Sequence, residues 1–479
     1  MSEGHQATPV TPVSPGPSKL SPSSHKTFLA RLTVVATLGG LLFGFDTGVI
    51  SGALLYMRTD LGLSSVQEAL VVTVLLFPGC TVGALVGGPL ADRIGRKRTL
   101  LLCSVVFTIG AIGCALAPGA TTLMIARVIL GFGVGCASVT CPIYLAEMAP
   151  ADRRPRMVTI NELMIVTGLF LSFTTNLVFD QLIHDPHVWR YMLGVAIVPA
   201  IALFAGMLRL PDSPRWYALK GRFEESRDTL LLARDRETAA RDYTQILEVV
   251  DHDAAAGRTT GAALRALREN PWMRRILWIG IVWSIAFIVP GNNVVNYYAP
   301  TVLAAAGMTN AAALVSSIAV GVTQIVATLV GIWLLGFMRV RRMMLIGFAA
   351  IVISHICLAI TYMTPETPAR AYVILAFMLC INGSLSCFIG TSGWLVLSEI
   401  FPTAIRGYAM GCAVTTLWIT NSAVSFFFPI AVDHIGMVAT FFGFMVLNIL
   451  AFLFVARFIP ETRGKTLEEL EEHLRAGGS

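Results

Sequence analysis

Asp46, Arg127 and Glu162 stand inside apolar runs, where charge is expensive. One charged side chain at the centre of a bilayer costs about 2.5–3.5 kcal/mol on insertion scales, so each must face a protein interior and find a partner. Asp46 and Arg127 suit one another. A carboxylate beside a guanidinium stays ionised, and one left alone in a low-dielectric interior takes up a proton. A pair that opens and closes would therefore bind and release protons; the plainer alternative is a static buried ion pair. Glu162 can accept charge-assisted hydrogen bonds from a hydroxylated ligand. It can also be a second protonation site, or an acid satisfied by polar groups of neighbouring helices.

A second set of charges sits at the ends of apolar runs, and it repeats. Glu147-x-x-Pro150-x-x-x-Arg154 recurs as Glu399-x-x-Pro402-x-x-x-Arg406, an offset of 252 residues (147 to 399). Pro211-Asp212-Ser213-Pro214-Arg215 recurs as Pro460-Glu461-Thr462-Arg463-Gly464, an offset of 249 (211 to 460). Two pairs nearly in register indicate two related halves with a site between them near the bilayer midplane. Asp92, Arg93 and Arg96 add a tight basic turn. These residues are expected to pair across adjacent helix ends as a gate on the cytoplasmic side, broken when that side opens. The competing reading is topological anchoring by basic loops.

The elements that position these residues follow from hydropathy. Of 479 residues, 55% are hydrophobic and 13% charged, against roughly a quarter charged in soluble domains. Lipid must be the solvent. A spanning helix needs about 20 mostly apolar residues. Spans are predicted near 29–56, 70–90, 99–117, 120–147, 157–179, 190–209, 273–304, 311–336, 342–363, 371–398, 407–432 and 436–459. The chain thus reads as an all-α polytopic membrane protein with twelve transmembrane helices. Its expected parts are a disordered tail (1–26), a six-helix bundle (27–210), a linker of three to five short amphipathic helices (211–270), a second bundle (271–459) and a tail (460–479). Basic residues crowd the 2–3, 4–5, 6–7, 8–9 and 10–11 connections, which places both termini in the cytoplasm of a cell-membrane protein. The net charge of +6 is scattered between apolar spans, so nucleic acid is not an expected partner. Nine cysteines fall in apolar stretches without metal-type spacing; they read as small buried residues, with no metal or cofactor implied. No span pairs a nucleophile with a base, so an enzyme is not expected.

Several strings resemble the sugar-porter branch of the major facilitator superfamily: LLFGFDTGVISGAL (41–54), GRKR (95–98), PIYLAEMAP (142–150), PDSPRW (211–216), LSEIFPTAIRG (397–407) and PETRGKTLEEL (460–470). NELMIV (161–166) and WRYML (189–193) resemble bacterial inositol-type members. The resemblance implies the twelve-helix major facilitator fold in two pseudo-symmetric halves. It implies proton coupling through the position of Asp46, and substrate contacts at Phe43, Glu162, Asn293, Trp394, Trp418 and Asn421. Gln324 stands where the family often has Asn. The two tryptophans could equally be packing or lipid-facing residues. Where the family has a Gln-Gln pair in the seventh span, this chain has Phe287-Ile288, and Leu169 and Leu417 replace two further glutamines. Each lost hydrogen bond to a buried hydroxyl costs about 1–3 kcal/mol. A glucose-like hexose is therefore expected to bind poorly unless Asn292, Asn296, Gln324 or Thr391 compensates.

The expectation is a monomeric proton-coupled symporter that imports a small polyol or sugar, myo-inositol-like, through the lipid bilayer. The alternatives are a facilitator, a symporter of a less hydroxylated solute, or a non-transporting nutrient sensor. The last would be expected to carry a long signalling tail, against residues 461–479 here.

Overall fold

The computed structural model describes residues 22–150, 153–256, 260–402 and 405–461. The side chains of Arg154, Glu399 and Arg406, and all of Arg463, lie outside the described residues. Among those described, every regular element is helical. Spans 1 to 6 are His25–Asp60, Ser65–Ile94, Arg96–Ala115, Ala120–Met148, Thr159–Leu182 and Val188–Leu208. Spans 7 to 10 are Pro271–Ala304, Asn310–Leu335, Val340–Tyr362 and Ala369–Trp394. The last apolar run, Tyr408–Phe458, is one helical stretch twice the length needed. It turns at Gly436, whose φ of 79° and ψ of 165° leave the helical region. Only a residue without Cβ adopts that conformation cheaply, so the run supplies spans 11 and 12, and the total is twelve.

The first helix begins at Pro22, inside the stretch read as a tail. Its His25 ring lies 3.0 Å from the Leu232 carbonyl in the connection between spans 6 and 7. Among the described residues that connection holds four helices, Pro214–Leu219, Phe223–Ala233, Arg236–Ala256 and Thr260–Glu269. Arg234 fastens it to the first half by donating to the Met148 and Ala149 carbonyls at 3.3 and 2.9 Å, with Asp242 at 2.6 Å behind it. Not every cysteine is buried: Cys380 is exposed, and Cys357 and Cys412 are half-buried.

In lipid, helices associate through close packing of small residues, and span 1 shows it. A Cβ on Gly44 would lie 1.8 Å from the Ile165 carbonyl oxygen of span 5, and one on Gly168 would lie 2.2 Å from that of Leu41. The backbones touch, and this contact sets Asp46 and Glu162 on two helices that move as one.

The repeat is visible as matched geometry. Asp212, after span 6, accepts the backbone N–H groups of Arg96 and Lys97 at the start of span 3, at 2.9 and 3.3 Å. Glu461, after span 12, accepts those of Val340 and Arg341 at the start of span 9, at 3.0 and 3.3 Å. Each carboxylate satisfies N–H groups that a helix start leaves open and complements its positive dipole end. Burial still pushes the Asp212 carboxyl above its ordinary value, against the opposing pull of Ser213, Lys97 and Arg96.

Candidate functional site

Span 1 and span 4 bring Asp46 and Arg127 together. Arg127 Nη1 donates to Asp46 Oδ1 at 3.0 Å, and its Nε donates to the Val71 carbonyl of span 2 at 3.2 Å. The side chains are 0% and 3% exposed. Tyr297, from the second half of span 7, is buried in the neighbourhood of the pair, beside Thr47. Nothing in the local sequence signalled Tyr297, because its role depends on two halves meeting.

Span 7 is interrupted at residues 289–291 and restarts at Asn292. A break at membrane depth frees polar groups to line a cavity. Asn293 uses its amide nitrogen to donate to Asn421 Oδ1 of span 11 at 2.9 Å. Asn296 accepts from Gln324 Nε2 of span 8 at 2.7 Å, and Gln324 is 2% exposed. The Thr391 hydroxyl donates to the Cys387 carbonyl at 2.9 Å. Three of the four residues expected to compensate for lost glutamines are thus engaged with the protein itself. Asn292 is the exception; its buried Oδ1 has no hydrogen-bond partner.

Phe43 meets Trp418 edge-on at 5.3 Å, joining span 1 to span 11. Trp418 is buried and Trp394 is 38% exposed. Phe287 packs edge-on against Trp394 at 5.9 Å and against Trp283 at 6.1 Å. Among the apolar replacements, Ile288, Leu169 and Leu417 are buried. The space among Trp283, Phe287, Trp394 and Leu417 holds a void of only about 10 Å³. A larger groove of about 550 Å³, beside Thr323, Ser354, Cys380 and Ser384, contains none of the expected site residues.

Glu162 of span 5 faces span 10 across the halves: a Cβ on Gly390 would lie 3.9 Å from its carboxylate. It is half-buried, and among the described residues it has no ion pair or hydrogen bond.

At the end carrying the basic loops, Arg96 Nη2 donates to Glu147 Oε1 at 2.9 Å, and its Nε lies 2.9 Å from Oε2. Asp92 stands 2.8 Å from Arg96, while Arg93 is exposed and Arg215 half-buried. These contacts join spans 2, 3 and 4 of one half. The rest of the expected gate, Arg154, Glu399, Arg406 and Arg463, falls on side chains outside the described residues. The halves meet in the other part of the spans: Ser422 Oγ of span 11 donates to the Thr73 carbonyl in the first third of span 2 at 3.4 Å, and midway along the helices Gly321 of span 8 packs on the Phe170 backbone of span 5.

The family model described as "Sugar (and other) transporter" matches residues 32–474. The chain is 44% identical over 453 residues to the major myo-inositol transporter IolT of Bacillus subtilis (strain 168), covering 94% of this chain and 95% of that one. It is 33% identical over 456 residues to the galactose-proton symporter of Escherichia coli (strain K12), covering 95% and 96%. Its fold matches the xylose transporter XylE from E. coli in a partially occluded inward open conformation, with a TM-score of 0.80, 29% identity and coverage of 92% and 100%.

Proposed function

The chain belongs to the sugar-transporter family, and on that basis we propose that it is a proton-coupled symporter importing a polyol of the myo-inositol type. It is a multi-pass membrane protein and a transporter of sugars rather than an enzyme. The observation that carries the coupling is the buried Asp46–Arg127 pair, with Tyr297 of the other half buried nearby.

With the basic loops in the cytoplasm, the joined part is the outer one. Parting the halves there lifts Tyr297 and lets water and a proton reach Asp46. A protonated Asp46 no longer holds Arg127 as an ion, so the grip between spans 1 and 4 loosens. Substrate bound between Glu162, Asn292, Asn293, Trp394, Trp418 and Phe43 draws the halves together at the outer end. On the inner side the proton leaves and the ion pair re-forms, which resets the carrier. Asp92, Arg96, Glu147 and the Asp212 and Glu461 caps hold the inner helix ends in register during this motion. Gln324 acts by fastening span 7 to span 8 through Asn296.

The reading is tested with the purified chain in proteoliposomes, following labelled myo-inositol and glucose with and without an inward proton gradient. Gradient-driven accumulation of inositol, exceeding that of glucose, is the expected result. Equal entry with or without the gradient would make this a facilitator, and entry of neither compound would reject the polyol assignment.

A further inference from the structure

We infer that the preferred substrate is a polyol bearing an ammonium group, an aminocyclitol or amino sugar, held by Glu162 opposite the face of Trp394. This inference rests on the polyol-transporter reading above and names the chemical class its site selects.

The first observation is an unmatched acid. Glu162 sits in span 5, eight residues beyond the Arg154 at which its helix starts, or about 12 Å along its axis at 1.5 Å per residue. Among the described residues nothing donates to it and no cation stands near it. Arg127, the buried cation of the same half, is already taken by Asp46 and the Val71 carbonyl. A carboxylate left alone in a low-dielectric interior takes up a proton, whereas an ammonium brought beside it holds it ionised; here the described residues supply no such cation. The glycine across from it leaves the room: Gly390 has no side chain between span 10 and the carboxylate.

The second observation is an aromatic face in the right place. Trp394 lies one turn beyond Gly390, and residues four apart share a helix face. Its indole is 38% exposed, and Phe287 braces it edge-on at 5.9 Å. A cation is attracted to such a face, most strongly to an indole and most strongly when desolvated.

The third observation is what the cavity lacks. A ring of neutral hydroxyls needs several neutral partners. Gln324 donates to Asn296, Asn293 to Asn421, and Thr391 to its own helix, so each has less capacity left for a ligand. Ile288, Leu169 and Leu417 are buried and apolar. Of the residues expected to contact the ligand, Asn292 has a buried Oδ1 without a partner and Glu162 has neither ion pair nor hydrogen bond among the described residues. The amide can hold a hydroxyl, and the carboxylate matches an ammonium.

The test is competition against labelled myo-inositol uptake by the full chain in proteoliposomes. The competitors are paired: an inosamine against its parent inositol, and glucosamine against glucose. A charge-assisted hydrogen bond is roughly twice as strong as a neutral one, so the amine of each pair should inhibit at about tenfold lower concentration or better. The quantity read is the amine-to-hydroxyl ratio within each variant, which a general loss of affinity does not move. Glu162→Gln, nearly isosteric, should bring the ratio to about one, and Trp394→Leu should lower it with the carboxylate intact. Equal inhibition within each pair for the wild type, or a ratio that survives Glu162→Gln, overturns the inference. If neutral inositol is accumulated by the proton gradient without any amine preference, the inference alone fails. If no polyol, neutral or cationic, is carried, the transport reading fails with it.

Discussion

Replacing Asp46 with asparagine separates the two roles its ion pair with Arg127 can have. Both side chains are out of solvent, with 3.0 Å between Nη1 and Oδ1. Removing one partner of a buried pair strands the other charge and costs about 3–5 kcal/mol. Asparagine keeps the shape and one acceptor, and Arg127 keeps the Val71 carbonyl at 3.2 Å, so the loss should fall near the lower end, about 3 kcal/mol. Arg127→Gln strands the carboxylate instead, and protonation of Asp46 relieves it. The double variant Asp46→Asn/Arg127→Gln puts two neutral amides in hydrogen-bond reach and should recover to within about 1 kcal/mol of wild type. Thermal unfolding in detergent ranks the four proteins. Transport ranks them differently. With one proton per substrate, a gradient of one pH unit supports at most about tenfold accumulation, since each unit is worth 1.36 kcal/mol. Asp46→Asn and the double variant should both equilibrate substrate without accumulating it, although only the single variant is unstable. Gradient-driven accumulation by the double variant would refute the assignment of the proton to Asp46 and move it to Glu162.

Gly44→Val should prevent accumulation of folded protein, because its Cβ would stand 1.8 Å from the Ile165 carbonyl oxygen and force spans 1 and 5 apart. Overpacking of this kind costs about 1–3 kcal/mol or more, and Gly119→Ala, where nothing lies within 4 Å, is the matched control in size-exclusion yield. Asp212→Ala should speed hydrogen exchange at the Arg96 and Lys97 amides and cost about 1–3 kcal/mol in unfolding, as buried N–H groups lose their acceptor. Asp212→Asn keeps that oxygen and should cost less; Glu461→Ala should reproduce the effect at Val340 and Arg341 of the second half.

The number of spans, their order and the two-fold repeat were legible in the sequence, because partition into lipid is settled residue by residue along each run. So was the meeting of Asp46 with Arg127: two charges of opposite sign among few in lipid have few other partners. Which face each helix turns to its neighbours was not legible. A helix that is apolar all round carries no periodicity to mark its buried side. The sequence therefore offered Gln324 as a ligand contact, while the structure turns it onto Asn296. It gave no sign that Tyr297 lies near Asp46 or that Glu162 looks across at Gly390. These are contacts between spans far apart in the chain, fixed by backbone approaches such as that of Gly44 to Ile165. Local chemistry determined what this chain is made to cross and which charges it must shelter there. Only the packing of one half against the other decided that Tyr297 lies by the buried pair and that Glu162 faces Gly390 of span 10.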